Sequence, residues 1–183
     1  MSYPVNKLHH IDKSQLPAGF HILSPVNGIL TPISQLSNTI INSGCLGEGV
    51  AIAITGNKLH APFDGVVTQM PATGERIVLQ ATNGIKLVLL FAHNNQQLMG
   101  KGFNAKVTSN SPIKKGQVIA TFNLQQLQQL SPQGPHYLAA MIVNAELVGN
   151  IYHCNHKLSG GEDILLTVTA KKNQPKPKAP KIS

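Results

Sequence analysis

The residues of this sequence best suited to hold a metal or attack an electrophile are its 8 histidines and 2 cysteines. The densest set is His153-Cys154-Asn155-His156. Imidazole and thiolate together suit zinc, which takes four such ligands in a structural site and about three in a catalytic one. The spacing here fits no standard tetrahedral site and no second cluster completes it, so the four residues read as a polar turn before Ser159-Gly160-Gly161. Cys45 and Cys154 lack CxxC spacing and read as two free thiols of a reducing compartment. His9-His10 and His60 read as structural or solvated, and His93 as an exposed loop histidine after the run Ile85-Lys-Leu-Val-Leu-Leu-Phe91. No metal and no cofactor is expected.

Elements that would position these side chains are short. Apolar runs such as Gly49-Val-Ala-Ile-Ala-Ile54, Arg76-Ile-Val-Leu-Gln80, Gln117-Val-Ile-Ala-Thr-Phe122 and Ile164-Leu-Leu-Thr-Val-Thr169 alternate with Gly, Pro, Asn and Asp. Closely spaced turns with β-branched enrichment predict an all-β chain, an antiparallel β-sandwich or flattened barrel. Pro62-Phe-Asp-Gly65 and Lys114-Lys-Gly-Gln117 carry turn chemistry. Asn123 can cap a helix over Leu124–Leu130, whose leucines recur every three residues, so one or two short helices are expected.

The chain has 183 residues, 42% of them hydrophobic, which is one ordinary domain able to bury a core. Without Trp and with 4% aromatic residues, that core must be aliphatic. Residues 1–20 read as a flexible N-terminal arm ending at Pro17-Ala-Gly19, and residues 21–170 as the domain. The net charge of +8 is uneven: Lys171, Lys172, Lys176, Lys178 and Lys181 crowd into residues 171–183. Removing these five from the 15 basic residues leaves ten against 7 acidic ones. Pro175, Pro177 and Pro180 forbid a helix there, so the segment is expected to be a solvated basic tail that attracts anionic surfaces. Lacking an aromatic residue to stack bases, it is not expected to read nucleic acid specifically. No stretch has membrane-spanning length and no signal-peptide core opens the chain, so a cytoplasmic location without membrane insertion is expected.

Several motifs occur in order at nearly constant spacing. These are Ser24-Pro-Val-Asn-Gly28, Leu46-Gly-Glu-Gly-Val-Ala-Ile52, Thr55-Gly-Asn-Lys58 with Ala61-Pro-Phe-Asp-Gly65, Gly100-Lys-Gly-Phe103 and Ile113-Lys-Lys-Gly-Gln-Val118. Together they resemble the glucose-type enzyme IIA domain of the bacterial phosphoenolpyruvate-dependent sugar phosphotransferase system, over about residues 21–170. The resemblance implies that family's β-sandwich, the duplicated hybrid motif. Gly47, Gly49, Gly56 and Gly65 are expected in tight turns that need positive φ.

The resemblance also implies a site, and here the sequence departs from it. The family accepts a phosphoryl group from the phosphocarrier HPr on one histidine, assisted by a second histidine and a threonine, and passes it to a sugar-permease domain. Laid ungapped on this chain, the nucleophile column falls on Leu90, the second histidine on Glu75 and the threonine on Thr73. Leucine has no lone pair, and an ionised carboxylate repels phosphate. The three are expected to converge on one shallow depression, with no intact catalytic residue. Ile41, Cys45, Leu46, Asn94 and Gln96 fall on the partner-docking face, whose acidic rim is lost. The implied function is a non-catalytic binding or regulatory protein, with HPr or a sugar-permease domain as the implied partner. One alternative is a working phosphocarrier using His93; an odd spacing from Leu90 points it to the opposite face of a strand. Another is a relative of lysostaphin-type zinc peptidases, suggested by Phe91-Ala-His93 and Gly134-Pro-His136, although Leu138 stands where a ligand histidine would be needed.

Overall fold

The computed structural model describes residues 7–36, 46–91, 100–130, 136–154 and 156–171. Its strands, in chain order, are β1 (Leu8–His10), β2 (Phe20–Leu23), β3 (Gly28–Thr31), β4 (Glu48–Ile54), β5 (Lys58–His60), β6 (Gly65–Gln69), β7 (Arg76–Ala81) and β8 (Lys86–Phe91). They continue as β9 (Phe103–Ala105), β10 (Pro112–Ile113), β11 (Val118–Phe122), β12 (Tyr137–Ile142), β13 (Val148–His153), β14 (Lys157–Leu158) and β15 (Ile164–Ala170). An 8-stranded sheet runs β10-β6-β7-β8-β12-β4-β3-β14, a 4-stranded sheet β1-β13-β15-β2, and a 3-stranded sheet β5-β11-β9. The sheets are open, so of the two architectures expected the sandwich is the one formed. Among the described residues pairing is antiparallel apart from β1 on β13.

The principal core lies between the sheets. It takes Ile77, Leu79, Leu87, Leu89, Ile52 and Leu138 from the large sheet, Ile22, Leu166 and Val168 from the second, and Leu59 and Ile119 from the third. Each fully buried aliphatic side chain of this kind contributes about 1.5–3 kcal/mol relative to exposure. Successive strand residues point to opposite faces, so the alternate residues Ala51, Val78, Val88, Ala139 and Met141 form a second apolar cluster on the other side of the large sheet. The apolar runs are continuous rather than alternating because their strands are buried on both faces.

Helix α1 (Leu124–Leu130) forms where the leucine spacing and cap predict it. Asn123 Oδ1 accepts a hydrogen bond from the Gln126 N–H at 3.2 Å, the expected capping contact. The Lys114–Gln117 turn is also present: the Gln117 N–H donates to Lys114 O at 2.9 Å, and Gly116 supplies a φ of +81°.

Two expectations need correction. Residues 1–20 are not a loose arm over their described part, because Leu8, His9 and His10 pair in parallel with Ile151, Tyr152 and His153. Of the four glycines expected at positive φ, Gly47 alone has it, at 128°. Gly49 instead lies within β4, where an added Cβ would stand 1.9 Å from the Ala140 carbonyl oxygen. The need there is close approach of two strands, not a turn.

Candidate functional site

Leu90 lies near the end of β8, the strand between β7 and β12. Its register partners are Arg76 on one side and Ala139 on the other. The half-buried Leu90 side chain packs on the second cluster, with Val78, Val88, Ala139 and Met141, and Tyr137 and Leu46 pack there too. Arg76 is exposed, and its Nη1 donates to Gln69 Oε1 at 2.9 Å. Glu75 immediately precedes β7 and is half-buried.

Phe91 takes the opposite face. It packs on the principal core, with its ring 5.3 Å from Phe122 and 6.5 Å from Phe103, both near edge-on. Thr73 belongs to this side: with Phe91, Lys101, Phe103, Phe122 and Leu127 it lines a cavity of about 10 Å³. Gly74, at φ +66°, lies so close to Phe103 that an added Cβ would stand 2.6 Å from its ring. The Thr73 hydroxyl is buried and has no hydrogen-bond partner among the described residues. Thr73 and Leu90 thus line different apolar clusters, while Glu75 adjoins Arg76, the register partner of Leu90. Strand alternation sends Leu90 to one face, while the Thr73-Gly74 turn folds towards Phe91 and Phe103 on the other. The cavity is at the lower limit for one water molecule, so it is no ligand pocket. Beside it, a groove of about 460 Å³ opens along Asn57, Thr121, Asn123 and Leu124.

Of the other candidates, Ile41, Cys45, His93, Asn94 and Gln96 lie outside the described residues. His136 is buried, and its carbonyl oxygen accepts the Ile54 N–H at 2.8 Å. Leu138 is a fully buried core residue, so the position needed for a zinc ligand is filled by packing. Among the described residues no group of three or more His, Cys, Asp and Glu side chains is placed to hold a metal. Cys154 is a half-buried free thiol. One cluster was invisible in the sequence: the His10 and His153 rings lie 5.0 Å apart. Burial, and then the charge of His10, lowers the pKa of His153.

This architecture, with its two-faced central strands, is matched by known proteins. The family model for the phosphoenolpyruvate-dependent sugar phosphotransferase system, EIIA 1, matches residues 20–146. The chain belongs to this EIIA family. A relative from Corynebacterium glutamicum, the PTS system glucose-specific EIIBCA component, is 31% identical over 76% of the chain. The match spans 21% of that relative's own length. The PTS system glucose-specific EIIA component of Borreliella burgdorferi is 25% identical over 86% of this chain and 82% of its own. Among solved structures, glucose permease IIA from Mycoplasma capricolum superposes with a TM-score of 0.72 at 18% identity, over 82% of this chain and 96% of that one. Within this EIIA frame the chain carries an apolar Leu90 face and a separate Thr73 cavity. No helix among the described residues is long and apolar enough to cross a membrane.

Proposed function

We propose that this EIIA-family chain works by binding a protein partner through its Leu90 face and does not itself carry a phosphoryl group. The observation behind this reading is Leu90 itself. It sits within β8 among Val78, Val88, Ala139 and Met141, in the column where the family resemblance puts the nucleophile. A hydrocarbon side chain has no electron pair to offer phosphorus, whereas covalent phosphoryl transfer through a histidine needs a neutral ring nitrogen. Glu75, in the second histidine's column, adds negative charge where an incoming phosphate would add more, and like charges at contact range repel.

The partner is a component of the sugar phosphotransferase system, HPr or a glucose-type permease domain, met in the cytoplasm. Docking uses the apolar ground around Leu90 and Leu46 together with Ile41, Cys45, Asn94 and Gln96. The binding unit is residues 21–170, and residues 171–183 serve it as a basic tail. The test is to incubate the intact chain with phosphoenolpyruvate, enzyme I and HPr and then measure its mass. The expected result is no gain of a phosphoryl group while a control EIIA domain is fully charged. Stoichiometric phosphorylation mapped to His93 would overturn the reading in favour of a carrier with a relocated histidine.

A further inference from the structure

The N-terminal strand joins the sheet through its parallel pairing with β13, Leu8 packs on the principal core, and hydrogen bonds fix both ends. The Ile151 N–H donates to Lys7 O at 2.7 Å and the Ile11 N–H to His153 O at 3.1 Å. Lys7 adds its own anchors: its N–H donates to Glu48 Oε2 at 2.8 Å, and its Nζ to Val148 O at 3.0 Å and to Ala145 O. Between these ends, His10 lies directly opposite His153, with the rings 5.0 Å apart and inclined at 48°. His153 Nδ1 is buried and has no hydrogen-bond partner among the described residues.

That geometry favours a neutral His153. A neutral imidazole carries its one proton on Nε2 and leaves Nδ1 as an unused acceptor. The imidazolium carries protons on both nitrogens, so Nδ1–H would be a buried donor facing no acceptor. A protonated His10 opposite would add like-charge repulsion. No compensating carboxylate stands in register. β15, on the other side of β13, offers no titratable residue between Ile164 and Ala170, and His21 beyond it is engaged with the Thr167 hydroxyl at 3.0 Å. On the β1 side the charged neighbours are His9, Lys7, Asp12 and Lys13. His9 is turned to Tyr152, with ring centroids 5.6 Å apart, and the Lys7 ammonium is engaged with the Val148 and Ala145 carbonyls. Cys154, His156 and Lys157 follow on the strand's own side, and Glu146 lies in the turn before β13.

We propose that His153 is a proton-operated latch: neutral, it seats the strand Leu8–His10 on β13, and protonated, it releases that strand and bares the β13 edge. The sign follows from burial, which holds the His153 pKa below the ordinary imidazole value, with His10 pushing the same way. The seated form binds fewer protons than the released form. The His153 contribution to seating is therefore fully present above pH of about 6.5 and is lost as pH falls from there through the lowered value. A single proton changes the seating equilibrium by at most about tenfold per pH unit.

The experiment is amide hydrogen exchange read by NMR on the intact chain between pH 7.5 and 5, expressed as protection factors so that intrinsic exchange is removed. The Ile11 and Ile151 amides should lose protection several-fold on acidification, along the same curve on which the His153 ring titrates. Amides of β8 and β12 should not change. In His153→Phe the two amides should stay protected throughout. The proposal fails if His153 titrates while Ile11 and Ile151 keep their protection, or if the loss persists in His153→Phe. Should that variant not fold, the coincidence of the two wild-type curves decides alone.

Discussion

Replacing Leu89 and Leu90 in turn by alanine separates the two faces of β8. Leu89 is fully buried in the principal core, opposite Ile77. A leucine deleted from such a site costs about 2–5 kcal/mol, because transfer energy is lost and the cavity collapses only partly. Leu90 is half-buried at the margin of the second cluster. It forfeits only part of a leucine's burial, about 1 kcal/mol, and leaves a site that can relax into solvent. With an m-value of about 2 kcal/mol/M in urea, Leu89→Ala should shift the unfolding midpoint by about 1–2.5 M and Leu90→Ala by about 0.5 M. The assay is urea unfolding followed by far-UV circular dichroism, with the slope checked for constancy. Equal shifts would refute the assignment of Leu90 to a partly open face. A larger shift for Leu90 would place it in the main core and remove it as a docking residue. If the order holds, lost binding in a Leu90 variant can be read as lost contact rather than lost fold.

Two further outcomes are expected. Thr73→Val removes a buried hydroxyl that has no partner among the described residues, so stability should stay level or rise by up to about 1 kcal/mol; a loss above 1 kcal/mol in the same urea assay would mean that the hydroxyl is bonded. Deleting residues 172–183 should leave stability within about 0.5 kcal/mol and weaken retention on an anionic resin at low salt, an effect that fades at physiological ionic strength, where charges are screened beyond about 8 Å. Unfolding on truncation, or retention that ignores salt, would refute the reading of the segment as a simple basic tail.

Much of the architecture follows from the sequence alone, because its signals are short-range. Glycine, proline and asparagine punctuate the chain into runs too short for most helices. Asn123 and the leucine spacing mark the helix over Leu124–Leu130, and Lys114–Gln117 carries a turn that forms as written. The ordered motifs from Ser24 to Val118 suffice to place the chain in its family, and an ungapped alignment puts Leu90 where a histidine would be needed. Other features depended on which strands meet. Period-two alternation predicts that Leu90 and Phe91 part company, but only the stacking of the sheets decides that Leu90 reaches the second cluster and Phe91 the main core. Thr73 joins Phe103 across a turn whose path no local pattern states. Gly49 has a strand's conformation, and the reason for its missing side chain is the Ala140 backbone on a distant strand. The parallel seating of Leu8–His10, and with it the His10–His153 pair, joins opposite ends of the chain. Local propensity is silent about such a contact, because its register is chosen by packing and burial after the chain has closed on itself.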